Sequence, residues 1–299
     1  MRRFLYRTAF FLLPLLLLAV AAECFVRSIP NSYRLKDEWM RRHADEVETL
    51  ILGNSHAYYD ICPQTLGGMT FNLANVSQVA SYDLDLLLHY APMARLRQVV
   101  LVADNSYLFD PPLELGEPYR CAYYTIYMGA GQHSRWGSYG MELFQFDGFC
   151  KKVRAYCSGD YAMCDSLGWG CDYKASQSTF DPYDTLTIRH RLQNHVCKDW
   201  QWAEANASRV EDIARYCQKH GICLTVVQTP VCEVYNKGIP ERQRLFIRQL
   251  MERLQTAYGV VVLDYASDSR FFASDFFDAD HLSDRGAAKF TSILSKDIR

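Results

Sequence analysis

The sequence predicts an α/β protein built as a three-layer sandwich, with a central parallel sheet of about five strands. Short apolar runs of strand length alternate with longer amphipathic segments of helix length. The run at residues 98–103 is apolar almost throughout, as expected for a parallel strand covered on both faces. Two helical segments end at glycines, Gly221 and Gly259, and an apolar run follows each at once. Such alternation is typical of a parallel sheet between two helical layers.

The elements are expected in the following order. Strands are predicted at residues 47–52, 70–74, 98–103, 222–228 and 260–263, and helices at residues 82–96, 202–220, 240–258 and 283–298. The composition, 49% hydrophobic and 14% aromatic, is that of a globular chain. The net charge of −2 argues against nucleic acid as the main partner.

The N-terminus has the pattern of an export signal or a membrane anchor. Arg2, Arg3 and Arg7 precede an apolar stretch at residues 8–26 whose one charged residue is Glu23. A helix of about this length crosses a bilayer core of roughly 30 Å, and the arginines favour the cytoplasmic side. We therefore expect residues 1–29 to be a signal peptide or an uncleaved signal anchor. The rest of the chain is then exported, into the periplasm or outside the cell.

Two interpretations of this segment remain open. Ala19-Val20-Ala21 resembles a signal-peptidase site, which would release the domain. The apolar run continues through Cys24-Phe25-Val26, which favours an anchor. Residues 30–46 are rich in charged residues and are expected to form a short polar tether, with the main domain at residues 47–299.

Cysteine usage predicts a disulfide framework. The chain has 11 cysteines, and Cys24 lies in the apolar segment, which leaves an even number in the exported part. Four follow one another at intervals of seven, namely Cys150, Cys157, Cys164 and Cys171. Gly159 and Gly168 argue against one continuous helix, and the gaps are wider than those of usual zinc sites. Disulfides within a loop-rich region are favoured.

Residues 111–199, after the third strand, are too long for an ordinary connection. Many aromatic residues occur in this segment: Tyr119, Tyr123, Tyr124, Tyr127, Trp136, Tyr139, Phe144, Phe146 and Phe149. Aromatic rings of this kind either stack on sugars or form the core of a small cap, and the second interpretation is favoured for each ring taken singly. The position of the segment suits a substrate lid.

Two short motifs at opposite ends of the domain carry the chemistry. Gly53-Asn54-Ser55-His56 follows the first strand, at a sharp turn into a helix. Asp278 and His281 lie close together near the C-terminus. A serine needs a base, and the base needs an orienting carboxylate. Ser55 is the expected nucleophile, His281 the expected general base and Asp278 the residue that orients it. The competing interpretation of Ser55 is a helix N-cap.

These motifs resemble those of the SGNH/GDSL hydrolase superfamily. Gly53-Asn54-Ser55 is similar to the family's G-D-S block and Asp278-x-x-His281 to its D-x-x-H block, in the family order, and the resemblance covers residue 47 onward. With the N-terminal anchor, the chain resembles the membrane-anchored envelope branch, which includes alginate O-acetyltransferases and the SGNH-like protein of teichoic-acid D-alanylation. The resemblance implies a flavodoxin-like sandwich with the 111–199 segment as an insertion.

The resemblance also implies an activity. The implied activity is that of a serine esterase or O-acyltransferase, which removes or transfers a short acyl group, with acetyl favoured by this resemblance, on a cell-envelope polysaccharide through an acyl-serine intermediate. A membrane-bound O-acyltransferase is the partner expected by analogy. The chemistry needs no cofactor, and no metal or nucleotide site stands out, since Gly67-Gly68 lacks the ending of a phosphate loop.

The family's oxyanion-binding blocks are less well matched. Ala74 stands where the second block has glycine, and Asn105 matches the asparagine of the third block. Asn75 is an alternative amide donor, and the Ser55 N–H is expected to contribute in any case. His56 is expected either to pack beside the serine or to contact the acyl donor or acceptor. These departures motivate a second hypothesis, a catalytically silent domain that binds glycan or scaffolds an acyltransferase complex.

Three further residues compete for roles at the site. Asp275 and Asp280 are alternatives to Asp278, and for both we expect helix capping or solvation. His190 is expected to lie on the surface or on the lid.

Overall fold

A computed structural model describes residues 1–131, 140–159 and 163–298, and its centre is a five-stranded sheet. The strands are β1 (Thr49–Leu52), β2 (Thr70–Asn72), β3 (Gln98–Val102), β4 (Cys223–Gln228) and β5 (Val261–Asp264). They pair in the order β2-β1-β3-β4-β5, and every pair is parallel. The predicted α/β class and parallel sheet are therefore confirmed, and each strand lies within about two residues of its predicted bounds.

Helices make up most of the remaining described chain. They are α1 (Arg2–Ser28), α2 (Ser32–His43), α3 (Ser55–Asp60), α4 (Pro63–Leu66), α5 (Ala80–Tyr90), α6 (Asn105–Phe109), α7 (Leu113–Gly116), α8 (Pro118–Tyr123), α9 (Phe146–Ser158), α10 (Thr185–Asn194), α11 (Trp200–His220), α12 (Glu233–Gly238), α13 (Glu241–Tyr258) and α14 (Asp284–Asp297). Shorter 3₁₀ and π turns connect several of them. The helix predicted at residues 82–96 stops at Tyr90, because Pro92 lacks the N–H that a continuing helix needs.

Both faces of the sheet are buried, and alternate strand residues serve the two sides. Leu50 and Leu52 belong to a core formed with α5, α11 and α13, whereas Ile51 belongs to a second core formed with α3, α4 and α14. The sheet therefore lies between two helical layers, which is why its central strands β1 and β3 are mostly apolar. This arrangement brings Ser55 and His281 close together, because α3 and α14 pack against each other on the same face of the sheet.

The segment predicted as a polar tether is part of the folded body. Tyr33, Lys36 and Met40 of α2 are 3%, 1% and 0% exposed. Lys36 donates to the Ala74 carbonyl and lies 4.5 Å from the Tyr58 ring centroid. Burial lowers the pKa of Lys36 to about 8, although nearby acidic groups oppose this shift. The prediction of a tether at residues 30–46 is wrong because α2 packs against the core instead of spanning a gap.

The expected disulfides are absent from the structure. All eleven cysteines lie in the described part of the chain, and each is a free thiol. Cys150 and Cys157 are exposed on α9, whereas Cys164 is buried beyond its end. The helix stops at Ser158 because Gly159 adopts φ 71°, so the regular spacing of seven does not continue as one helical stripe.

The described parts of the 111–199 segment contain helices α7 to α10 joined by irregular chain, and some of its aromatic rings are core residues. Tyr123 and Tyr124 are 9% and 0% exposed and pack against Tyr33 of α2. Phe144 and Phe146 are exposed. Trp136 and Tyr139 lie outside the described residues. Burial therefore excludes sugar stacking for Tyr123 and Tyr124.

The N-terminal helix matches the predicted anchor in length and composition. α1 has 27 residues, and an 18-residue stretch of it has a mean hydropathy of 2.5, which is sufficient for a membrane span. Only Glu23 and Val26, near its C-terminal end, are buried.

Candidate active site

The local turn around Gly53 sets the position of Ser55. Gly53 has φ 129°, and an added Cβ would lie 3.0 Å from the Val102 carbonyl oxygen, so glycine suits both the backbone and the space. Asn54 caps α3 by accepting the His56 N–H at 3.0 Å. Ser55 is thus the first helical residue and not the cap. Its N–H is one of the helix-start donors that have no acceptor within the helix.

Ser55, His281 and Asp278 form a hydrogen-bonded triad. His281 Nε2 lies 2.8 Å from Ser55 Oγ. His281 Nδ1 lies 3.0 and 3.1 Å from the two carboxylate oxygens of Asp278. The geometry allows His281 to accept the serine proton at Nε2 while Nδ1–H donates to Asp278. The structure therefore brings together the three residues that were predicted from the sequence.

A tight turn holds Asp278 and His281 in place. Asp278 Oδ1 accepts the N–H groups of Asp280 at 3.1 Å and His281 at 2.8 Å. The Leu282 N–H donates to Asp60 of α3 at 2.9 Å, which ties the turn to the helix that carries Ser55. Burial raises the pKa of Asp60 well above its ordinary value, although the nearby His56 acts to lower it.

Aromatic rings fix the orientation of the His281 imidazole. Tyr173 stacks on Tyr59 and on Phe277, with ring centroids 3.8 and 4.0 Å apart. The His281 ring meets Tyr173 edge-on at 5.3 Å. These contacts, together with the 1% exposure of His281, leave its ring little rotational freedom. Tyr173 belongs to the 111–199 segment, and sequence reasoning did not identify it.

A second, buried charge network lies behind the triad. His56 is 1% exposed and bonds Asp104 through Nδ1, and its Nε2 lies 3.4 Å from Asp280. Burial disfavours the His56 cation, but the Asp104 and Asp280 carboxylates raise the pKa of His56 well above its ordinary value. Burial likewise opposes the Asp104 anion, and His56 nonetheless lowers the pKa of Asp104 to about 2. The two groups therefore form a buried ion pair at neutral pH.

Asp280 connects this network to His281. It is fully buried, and its carboxylate accepts from Arg191 Nε at 2.8 Å and lies 3.6 Å from His281 Nδ1. Burial opposes the Asp280 anion, but the neighbouring cations hold its pKa well below the ordinary value. The expected solvated or capping role of Asp280 is wrong, because its carboxylate is the common partner of these groups. Asp275 does cap a turn, by accepting the Phe272 N–H at 2.9 Å.

Arg191 and His195, on and just after α10, complete this network. Arg191 Nη2 lies 3.4 Å from His281 Nδ1. His195 Nδ1 lies 2.6 Å from the Tyr235 hydroxyl and 3.5 Å from Asp280. Burial lowers the pKa of His195 to about 4, so it is neutral at pH 7. His190, predicted to be a surface residue, is exposed.

The residues expected to bind the oxyanion have other partners. The Ala74 N–H donates to the Asn72 side chain at 2.9 Å. The Asn105 amide donates to the His195 carbonyl at 3.2 Å and accepts from Gln243 at 2.8 Å. The Asn75 amide lies 3.2 Å from Gln78. This part of the prediction does not hold in the structure, since all three donors are used in holding loops together. The expected contact of His56 with an acyl group is also contradicted, because both of its ring nitrogens face carboxylates.

The cavity at Ser55 is small and is closed partly by residues of the 111–199 segment. Its volume is about 180 Å³. Its lining consists of Asn54, Ser55, Val76, Ser77, Ser106, Asp110, Tyr173, Arg191, His195 and His281. A larger cleft of about 270 Å³ lies on the far side of His56 and Ser106, and Ser55 does not line it. The Ser55 hydroxyl therefore faces the smaller cavity.

Of the site residues that sequence reasoning missed, one had a recognisable sequence signal and the others had none. Asp104 lies two residues after the end of β3, at the carboxyl edge of the sheet where ligands bind in such folds, so its position was a usable signal. Arg191, His195 and Tyr173 come from a segment without a motif. Only the folded chain places them beside His281.

His56, Asp280 and His281 form a group of potential metal ligands, with ligand atoms within 4.8 Å of one another. Each is already engaged, with Asp104, Arg191 and Ser55 respectively. We interpret the group as an ion-pair network, because a cation there would stand beside the Arg191 guanidinium.

No protein-family model matches this sequence, and no curated protein matches it significantly.

Proposed function

We propose that this chain is a serine-dependent acyl-ester hydrolase or O-acyltransferase of the SGNH/GDSL type, acting on a cell-envelope polysaccharide. The observation that carries the proposal is the continuous hydrogen-bonded chain from Ser55 Oγ through His281 to Asp278. The resemblance of the two sequence motifs supports the family, and the parallel sheet is compatible with it. The anchor-like α1 supports an exported, membrane-attached domain, with a membrane-bound O-acyltransferase as the expected partner.

The reaction runs through an acyl-serine. Ser55 Oγ attacks the ester carbonyl while His281 Nε2 takes its proton, and Asp278 stabilises the imidazolium that forms. His281 then protonates the departing alcohol as the C–O bond breaks. Water or a sugar hydroxyl gives its proton to His281 and attacks the acyl group, and His281 returns that proton to Ser55 Oγ as the bond between Oγ and the acyl carbon breaks. A cavity of about 180 Å³ favours a short acyl group such as acetyl.

The oxyanion requires donors other than those expected from the family pattern. The Ser55 N–H at the start of α3 is one candidate. Val76 and Ser77 line the same cavity in the loop after β2, and Ser77 has φ 60°. We assign the second donor to the backbone of this loop.

The alternative is a catalytically silent domain that binds glycan or scaffolds an acyltransferase complex. One observation favours it: Ala74, Asn75 and Asn105 are all bonded elsewhere. Against it, a silent domain has no need to keep Ser55, His281 and Asp278 within hydrogen-bonding distance of one another.

Reaction with a fluorophosphonate tests the proposal. The full chain in mild detergent is expected to gain one adduct by intact mass, located on Ser55, and Ser55→Ala is expected to gain none. Ser158→Ala is the matched control, because it removes an exposed serine hydroxyl that does not line the cavity. It should still react. A folded parent without an adduct would support the silent domain.

A further inference from the structure

The end of α1 is fixed to the folded body by a buried carboxylate. Glu23 accepts the backbone N–H groups of Glu142 at 3.1 Å and Leu143 at 3.0 Å. Arg27, one turn further, pairs with Glu23 at 2.6 Å and donates to the Gly140 carbonyl at 2.7 Å. The Phe25 ring meets Tyr156 of α9 edge-on at 5.9 Å. Residues 140–143 and α9 are therefore held at the height of Glu23 along α1.

The height of Glu23 can be related to a bilayer. About 20 helical residues cross the hydrocarbon core, and a span that starts at Phe4, with the Arg7 side chain reaching back to the cytoplasmic interface, ends at Glu23. A carboxylate is costly inside hydrocarbon and is acceptable at its edge, where polar partners are present. Glu23 therefore marks the outer boundary of the hydrocarbon, and residues 140–143 lie at that boundary.

Exposed aromatic rings lie at the same level. Phe144 and Phe146 are 65% and 71% exposed, and Phe25 is 45% exposed; these three residues form what we call the aromatic patch. The buried Glu142–Lys152 ion pair, at 2.8 Å, fixes the residues before α9 to α9 itself. Lys151 and Arg154 are exposed on the same helix. Apolar rings beside basic residues are the pattern of helices that lie in a membrane interface.

We propose that the aromatic patch inserts into the interfacial region of the outer leaflet of the bilayer that α1 crosses. The partner is lipid, because the carboxylate at the end of the span sets the patch at the depth of the headgroup and acyl boundary. The catalytic body then rests on the membrane surface. This inference goes beyond the esterase proposal, and it depends on α1 crossing a bilayer.

The test uses the full chain in nanodiscs containing lipids brominated near the ester end of the acyl chain. Tryptophan is introduced singly as Phe144→Trp, Phe146→Trp and Phe272→Trp. Phe272 is a matched control, since it is 64% exposed but packs near Lys289 of α14. Parent fluorescence is subtracted. We expect quenching at least twofold greater at positions 144 and 146 than at 272.

The other outcomes overturn the inference in distinguishable ways. Equal quenching at all three positions, with the chain retained through an alkaline carbonate wash, would show an anchored domain without surface contact. Loss of the chain in that wash would show that α1 does not span. A blue-shifted emission without lipid quenching would show that a protein, or a second copy, covers the patch. None of these results bears on the fluorophosphonate adduct, which is measured in detergent.

Discussion

At the scale of single residues, Asp278 and Asp280 lie two positions apart and have different environments. Asp278 is partly exposed and bonds His281 directly, whereas Asp280 is buried and faces Arg191. Arg191 Nη2 stands 3.4 Å from His281 Nδ1, and the His281 ring carries a positive charge in the proposed mechanism. Asp280 offsets that positive charge, so we regard it as a positioning residue.

The two carboxylates therefore predict different mutant kinetics. Asp278→Asn is expected to lower kcat by about 10³- to 10⁴-fold, since the histidine loses its orienting anion. Asp280→Asn is expected to lower kcat by roughly 10-fold to 100-fold, because Arg191 is left unpaired beside the base. The measurement is kcat on a short-chain aryl ester.

A double variant separates charge balance from simple damage. Removing the cation as well, in Asp280→Asn/Arg191→Gln, should recover part of the activity lost in Asp280→Asn. A double variant worse than either single variant would show that Asp280 acts on the structure alone.

The triad could be predicted from sequence because both motifs are short, local and in a recognisable order. Asn105 and Ala74 were misassigned because a motif position gives the residue type and not the direction of its donor. In the structure the Asn105 amide faces His195 and Gln243, and neither contact has a sequence signature. The environment of Asp280 could not be predicted from sequence either, because its partner Arg191 lies 89 residues away in the chain.

At the scale of elements, the turn from β1 to α3 depends on Gly53. An alanine there meets both a disfavoured backbone angle and a close contact with Ala57 Cβ at 3.0 Å. Gly53→Ala is expected to cost about 1–3 kcal/mol of unfolding free energy from backbone strain, and about as much again from overpacking. Urea denaturation in mild detergent measures the loss.

Gly67 supplies the control for this change. Its φ is 87°, and nothing lies within 4 Å of an added Cβ. Gly67→Ala therefore carries the backbone strain without the contact and should cost less than Gly53→Ala. Equal losses would show that packing around β1 and α3 is looser than the structure indicates.

The central strands β1, β3 and β4 were predictable because they are mostly buried on both faces and largely apolar, whereas the edge strand β5 is partly exposed. The order of the strands in the sheet was not predictable, because an apolar run does not show which other strand pairs with it. The α2 helix shows a different limit. Its buried residues Tyr33, Lys36, Asp37 and Met40 have helical spacing, but two of the four are charged. A hydrophobic pattern does not reveal a face that is half charged, so the segment was interpreted as solvated.

At the scale of the whole molecule, the buried His56–Asp104 pair makes stability depend on pH. A histidine whose pKa is raised by folding contributes fully below its unfolded value of about 6.5, and the contribution is lost as pH rises through the folded value. The lowered pKa of Asp104 contributes above about 3.9 and is lost as pH falls towards about 2. Both contributions are present together between about pH 4 and 6.5.

His56→Asn should therefore destabilise the protein most at pH 5 and less at pH 9, where the parent has lost part of the same interaction. Urea denaturation in mild detergent at pH 5, 7 and 9 gives the difference. His190→Asn is the control, since His190 is exposed and its replacement should change stability by no more than about 0.5 kcal/mol at any of these pH values. A constant penalty for His56→Asn across the range would contradict the ion pair.

The hydrogen bond between Ser55 and His281 joins positions separated by 226 residues. At ordinary synthesis rates of about 5–20 residues per second, the serine leaves the ribosome roughly 10–45 s before the histidine that activates it. The turn that carries His281 is held between Asp60 and α14, so it is completed only after the C-terminal helix has been synthesised. Under the proposed export, the chain therefore crosses the membrane with Ser55 still lacking its partner. In the proposed enzyme, reactivity begins only after the turn before α14 has folded against α3.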